Sequence, residues 1–309
     1  MDVKTVEIRQ LKTFVTTARL LSFTKAADEL GYAQSTVTGQ IQALEEELGV
    51  MVYERFAKQI KLTKEGERLY AYATQILALS SEAKDYVASA STPRGVLTIG
   101  TAESLCLHRL PGVFNTFRAL CPQVEISICF DIGSDYRALV RKNLIDLAIF
   151  FDVPCCEPDL ITHVLFEEPM TVIAAPSHPL TGKPRISPGD LSGEALVLTP
   201  EGCTYRRIFE SILTQAGARP SSVMGISSNE VIKRFVGDGW GIGFLPRVVV
   251  EHELAAGHLA ALNWAGPPFS INAQLTYHKN KWLSPALKAF IGVALEQMPA
   301  AKAQREAPA

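Results

Sequence analysis

The stretch from Ser22 to Leu48 restricts the fold more than any other part of the chain. Ser22 or Thr24 can start a helix over Lys25 to Leu30 by accepting a bond from an otherwise unpaired backbone amide, and Gly31 suits the left-handed position that ends one. After Tyr32 and Ala33 a longer helix is predicted from Gln34 to Leu48, with Val37, Ile41, Leu44 and Leu48 on one side. The short helix turns Ala26, Ala27 and Leu30 inward, and alanines are small enough for the longer helix to cross close above them. That packing is a helix-turn-helix. Ile8, Leu11, Phe14, Val15 and Ala18 recur at helical spacing before the pair and add a first helix with one buried face.

The outer face of the longer helix carries Gln34, Ser35, Thr36, Thr38 and Gln40 at its N-terminal end. These uncharged hydrogen-bonding groups can reach base edges or phosphates in a major groove, whereas a merely solvated face would more often carry Lys and Glu. Its other end turns acidic at Glu45, Glu46 and Glu47, and repulsion from phosphates would direct that end away from DNA. Alternating apolar residues on either side of a polar turn then read as a two-stranded wing over Tyr53 to Thr63. A solvated hairpin is the alternative for this run taken alone. In it Arg55, Lys58 and Lys61 face only Glu54, which matters because the whole chain carries −2 and residues 1–92 hold 11 Lys/Arg against 12 Asp/Glu. Any positive patch must come from local segregation of charge.

From Lys64 to Val87 there is no Pro, and after Gly66 no Gly. Leu69, Tyr72, Ile76, Leu79, Ala83 and Tyr86 follow alternating spacings of three and four, the seam of a two-stranded coiled coil, so two chains should pair here. The alternative is a helix packed on the remainder of its own chain. Small residues from Ser89 to Gly95 mark a hinge.

A chain of 309 residues has room for two or three folded units. Apolar residues at 47% and charged residues at 20% fit folded rather than disordered chain. Val96 to Ile99, Val124 to Phe130, Leu147 to Phe151 and Met170 to Ala174 are short apolar runs separated by helical patterns such as Leu110 to Leu120 and Tyr136 to Asn143. Further strands are expected at Leu196 to Leu198, Ile242 to Leu245 and Ala273 to Thr276, with a last helix near Pro285 to Met298 and a disordered tail over 299–309. This alternation implies a mainly parallel sheet with ligand sites beyond the carboxyl ends of its strands. The six cysteines include no CxxC pair and match no His spacing, so neither a metal site nor a disulfide framework is indicated. The N-terminus lacks a signal-peptide layout and no long uncharged apolar stretch occurs, which points to a cytoplasmic location without membrane contact.

In the N-terminal third, Leu11 to Phe14, Ser22-Phe23-Thr24-Lys25-Ala26-Ala27, Gln34, Gln40-Ile41, Leu44-Glu45, Glu47-Leu48-Gly49, Glu54-Arg55, and Leu62-Thr63 with Gly66 resemble the DNA-binding domain of the LysR-type transcriptional regulators. The resemblance implies a dimeric bacterial repressor or activator, also able to form a homotetramer, that binds double-stranded promoter DNA and, if an activator, RNA polymerase. Candidate DNA contacts are Thr24, Gln34, Ser35, Thr36, Thr38, Gln40, Arg55 and Lys58. Ala33 departs from the family's usual capping Ser at a cost on the order of 1 kcal/mol, which Ser35 would partly offset by capping one step later. The second part resembles the family's effector domain through Leu97-Thr98-Ile99-Gly100, Asp146-Leu147-Ala148, His178-Pro179-Leu180 and Gly239-Trp240-Gly241-Ile242-Gly243-Phe244-Leu245-Pro246.

The implied architecture is α/β overall: a winged helix-turn-helix over 6–63, a linker helix over 64–91, and a two-lobed type 2 periplasmic-binding-protein-like domain over 92–298. Lobe one would span 95–166 and 267–298, and lobe two 167–266. The resemblance places an unidentified small-molecule effector, and no other cofactor, between the lobes. Thr101, Glu103, Ser104 and Ser134 would contribute from lobe one, and Thr199, Gly202, Cys203, Thr204, Ser227, Ser228 and Phe244 from lobe two. Ser104, Ser134 and Ser228 could instead cap helices, and Arg206 and Arg207 could lie in the cleft or on the surface. Glu103 would repel an anion unless it points away or the effector has a cationic part. Two alternatives stay open: a redox sensor using Cys203, placed at a helix start near cations, and an enzyme on a solute-binding-like fold. Against the enzyme, the sequence has no nucleophile elbow, phosphate loop or metal spacing, and its histidines are scattered.

Overall fold

The computed structural model describes residues 5–56, 59–88, 93–130 and 135–298. The chain divides into two compact units, with the boundary between Ser91 and Thr92. The first contains α1 (Ile8–Leu20), α2 (Phe23–Leu30), α3 (Gln34–Leu48), an antiparallel ribbon of β1 (Tyr53–Phe56) and β2 (Gln59–Leu62), and the long α4 (Lys64–Ala88). Ser22 starts α2 by accepting from the Lys25 amide, and Gly31 ends it at φ 68°. Ala26 and Ala27 are buried against Val37, the close helix crossing their size allows. Leu11, Phe14, Ile41, Leu44, Val52 and Tyr53 form the main core of this unit. The Tyr53 hydroxyl donates to the Phe14 carbonyl at 2.7 Å and ties the ribbon to α1. Burial pushes this hydroxyl's pKa up, so it stays protonated.

Local expectations are corrected in four places. Ile8 and Leu48 are exposed, because they are the first residue of α1 and the last of α3, where packing against neighbouring helices runs out. Glu45 is buried instead of sharing an outer acidic face: its Oε1 accepts from the amides of Val52 and Tyr53 at 2.9 and 3.3 Å, pairing two donors where the chain enters β1. Ser35 does not replace the missing cap, and α3 begins at Ala33 without any side-chain bond. Leu69 packs into the core of its own unit with Tyr70, Ala73 and Leu77, since this side of α4 lies on α1. Tyr72, Ile76 and Leu79 remain exposed at 66%, 44% and 61%, and Ala83 is exposed as well. Tyr86 also belongs to α4.

The conjunction of Leu62-Thr63 with Gly66 has a local cause. Thr63 Oγ1 accepts from the Gly66 amide at 2.9 Å and donates to the Met51 carbonyl at 2.8 Å, starting α4 against the ribbon. A Cβ at Gly66 would overlap the Val52 carbonyl oxygen.

The second unit runs through β3 (Gly95–Thr101), α5 (Glu103–His108), α6 (Pro111–Leu120), β4 (Val124–Cys129), α7 (Tyr136–Arg141), β5 (Leu147–Asp152), β6 (Leu160–Glu167), β7 (Met170–Ala174) and β8 (Ala195–Leu198). It continues through α8 (Thr204–Gln215), β9 (Ser222–Gly225), α9 (Asn229–Gly237), β10 (Ile242–Pro246), α10 (Arg247–Ala255), β11 (Ala260–Ala261), β12 (Asn272–His278) and α11 (Pro285–Gln297). Two five-stranded sheets result, in the orders β4-β3-β5-β12-β6 and β11-β7-β10-β8-β9. Each is mainly parallel with one reversed strand, β12 in the first and β7 in the second. Each reversed strand is reached by a segment that passes between the sheets, β7 directly after β6 and β12 after β11. Strands β6, β9 and β11 were not anticipated: β6 mixes buried and exposed positions around Thr162 and His163, β9 is exposed throughout, and β11 has only two residues. Residues 89–92 of the expected hinge and the tail 299–309 lie outside the described residues.

The passage between the sheets is clamped. Glu168 is completely buried, donates its amide to the Ile271 carbonyl at 2.9 Å, and accepts two bonds from Arg109 at 2.8 and 3.0 Å. A bidentate guanidinium pair of this kind holds both crossing segments to the end of α5.

Candidate functional site

At the front of α3, Gln34, Ser35 and Thr36 are exposed, and Thr38 is half-buried with its hydroxyl donating to the Gln34 carbonyl at 3.0 Å. Exposed Thr24 donates to Gln34 Oε1 at 3.3 Å, which turns the amide nitrogen of Gln34 into the outward donor and links α2 to α3. Gln40 is half-buried and its Oε1 accepts from Thr13, so part of this side chain fastens α3 to α1. Arg55 lies in β1 opposite Ile60, and Lys58 lies outside the described residues.

In the second unit a cavity of about 450 Å³ opens beyond the carboxyl ends of β3, β5, β8 and β9. Strand ends of α/β sheets present loop amides and helix N-termini, which makes this a favoured place for ligands. Glu103 and Ser104 line it from the first sheet's side, and Thr199, Gly202, Cys203, Thr204 and Ser227 from the second. Residues not anticipated complete the wall: Ala102, Asp135, Tyr136, Arg137, Arg141, Phe150, Phe151, Asp152, Glu157, Tyr205 and Asn229. The rule of strand carboxyl ends would have identified Phe151 and Asp152. Tyr136, Arg137 and Arg141 needed the orientation of α7, which sequence spacing does not supply.

Charge in the cavity is organised into pairs. Arg137 bonds Asp152 and lies 2.8 Å from Glu157, and its guanidinium sits 4.8 Å from the Phe150 ring centroid. Arg141 bonds Glu157 and lies 2.7 Å from Asp159, holding the Asp159 carboxyl below the usual carboxylate range. Arg207 reaches only to 3.9 Å from Asp152 and remains 74% exposed. Burial raises the Tyr205 pKa, so its hydroxyl is neutral. Two polar atoms near the cavity are buried without a hydrogen-bond partner among the described residues, Thr101 Oγ1 and Arg137 Nη2, and the Thr199 hydroxyl pairs with that of Tyr205.

Several sequence-derived positions fall elsewhere. Thr101 is fully buried at the end of β3 and does not line the cavity. Ser228 caps α9 by accepting from the Val231 amide, and Phe244 is a core residue stacked on Phe209 at 4.5 Å. Ser134 lies outside the described residues. Arg206 points into the protein, bonding the Thr199 carbonyl at 2.7 Å and Glu210 at 2.8 Å, which removes it from the cations invoked for Cys203. Cys203 is half-buried at the N-cap of α8, and none of the six cysteines is joined in a disulfide.

Comparison with known proteins agrees with both units. Residues 8–67 match the family described as bacterial regulatory helix-turn-helix protein, lysR family, and residues 90–299 match the LysR substrate binding domain. The uncharacterized HTH-type transcriptional regulator YwqM of Bacillus subtilis (strain 168) is 38% identical over 289 residues, covering 93% of this chain and 97% of that relative. Among solved structures, a full-length OxyR variant from Pseudomonas aeruginosa aligns with a TM-score of 0.69 at 26% identity, covering 95% of both chains. Full-length CbnR complexed with its target DNA aligns at 0.67 and 22% identity over 94% of this chain and 99% of that one, a likeness of fold. The chain belongs to the LysR family of bacterial transcriptional regulators, with a helix-turn-helix DNA-binding domain and an effector-binding domain.

Proposed function

We propose that this regulator reads its operator with the N-terminal front of α3, presented in duplicate by pairing of α4, and that the cavity of the second unit takes the effector. Exposure of Gln34, Ser35 and Thr36 together with the inward turn of Glu45 carries the reading: hydrogen-bonding groups face out, and the first carboxylate along α3 accepts from backbone amides. The uncapped start of α3 adds free amides suited to a phosphate. Tyr72, Ile76, Leu79 and Ala83, with Tyr86 on the same helix, form the pairing seam. Dimers assemble further into tetramers, and RNA polymerase is the further partner if the protein activates. The chain works by binding rather than catalysis, in the cytoplasm. Among the described residues no histidine lines the cavity, so Ser104, Thr204 and Cys203 have no imidazole base there.

Fluorescence anisotropy on the DNA upstream of its own gene tests the reading. Ser35→Ala with Thr38→Ala removes two hydroxyl contacts of about 1 kcal/mol each. Specific affinity should fall about tenfold or more, with the melting temperature and nonspecific binding nearly unchanged. An unaltered footprint and affinity would reject the assignment of α3.

A further inference from the structure

Given that the cavity is the effector site, we propose that its ligand is a zwitterion: a free amino acid with an apolar side chain, its carboxylate against the α8 side and its ammonium against the α5 side. The two walls have opposite character. On the side of the first sheet, Glu103, Asp135, Asp152 and Glu157 face the cavity against Arg137 and Arg141, and both arginines are already ion-paired. Glu103 is exposed in the first turn of α5, its carboxylate near the Cys106 thiol. On the side of the second sheet no carboxylate among the described residues lines the cavity, and Arg207 is the charged residue.

That second wall is also built for an anion. The twelve-residue α8 points an N-terminus without a side-chain cap into the cavity. Thr199 lines the same wall with only 5% of its surface exposed, its hydroxyl paired with that of Tyr205. A simple anion would satisfy this wall and be repelled by Glu103; a simple cation would do the reverse. One molecule carrying both charges on neighbouring atoms answers both. The stacked pair Tyr136 and Phe150, at 5.7 Å, and the edge-on pair Phe151 and Tyr205, at 6.5 Å, supply an apolar surface for a side chain.

The experiment uses the full-length protein and three matched probe sets: the twenty common α-amino acids, their N-acetyl derivatives and their carboxamides, read by thermal shift and then calorimetry. At least one apolar amino acid should raise the melting temperature by mass action, while its N-acetyl and carboxamide forms bind at least tenfold more weakly. Glu103→Gln and Arg207→Met should each weaken the free amino acid at least tenfold, with circular dichroism as the check on folding. Equal binding of the N-acetyl form, or binding of benzoate or succinate and of no amino acid, would overturn the zwitterion and leave the cavity as the effector site. An amino acid that binds equally well to wild type and to both variants would show that the ligand sits elsewhere, which overturns the reading of the cavity as well. Absence of any shift with all twenty amino acids would overturn the zwitterion.

Discussion

Placing Lys at both Ile76 and Leu79 is the sharpest test of how two chains meet. Full burial of an Ile, Leu or Tyr side chain contributes about 2 kcal/mol. Tyr72, Ile76 and Leu79 retain 66%, 44% and 61% of their surface on the face of α4 that turns away from α1. Covering all three therefore contributes roughly 3 kcal/mol per helix and about 7 kcal/mol per pair. Ile76→Lys with Leu79→Lys removes roughly 4 kcal/mol of the pair's share, before repulsion between facing ammonium groups. The dimer dissociation constant should rise about a thousandfold, read by sedimentation velocity of the full-length protein from nanomolar to micromolar concentration. The first unit should still melt normally, because Leu69, Ala73 and Leu77 hold it from the other side of the helix. A dimer constant within a factor of about three of wild type, less than 1 kcal/mol, would refute α4 as the seam.

Two further outcomes follow from single buried or paired carboxylates. Glu45→Ala leaves the Val52 and Tyr53 amides without their acceptor, at about 1 to 3 kcal/mol each, so chemical denaturation should show a loss of roughly 2 to 6 kcal/mol; a loss below about 1 kcal/mol would contradict the structural role of this carboxylate. The Asp190 carboxyl is held well below the usual carboxylate range by the Ser187 hydroxyl and Lys183. A depressed folded-state pKa stabilises above the unfolded value and stops doing so as pH falls through the folded one. Asp190→Asn should accordingly lower the melting temperature at pH 7, with the difference from wild type shrinking below about pH 4; a gap independent of pH would exclude the ionised group as its cause.

The helix-turn-helix was legible because its determinants are local. Ser22, Ala26, Ala27 and Gly31 act within one or two turns of chain, and the apolar positions of α3 repeat at the helical period. The strands β3, β4, β5, β7, β8, β10 and β12 were legible as apolar runs, while the exposed β9 and the short β11 carry no such run. Seven of the nineteen residues that line the cavity followed from resemblance, but its charge pairs did not, since Arg137, Asp152 and Glu157 meet only when α7 lies across the end of β5.

A period identifies which side of an element is apolar; it does not say what that side meets. By itself the sequence therefore determined the helices of the first unit together with α6, α7 and α11, most strands and the uncharged front of α3. Tertiary structure alone decided that Glu45 turns inward, that Leu69 faces its own core while Leu79 does not, that Phe244 is packing, and that the cavity has two walls of opposite charge. Each of these depends on residues far apart in the chain coming within bonding distance, a condition that no local pattern encodes.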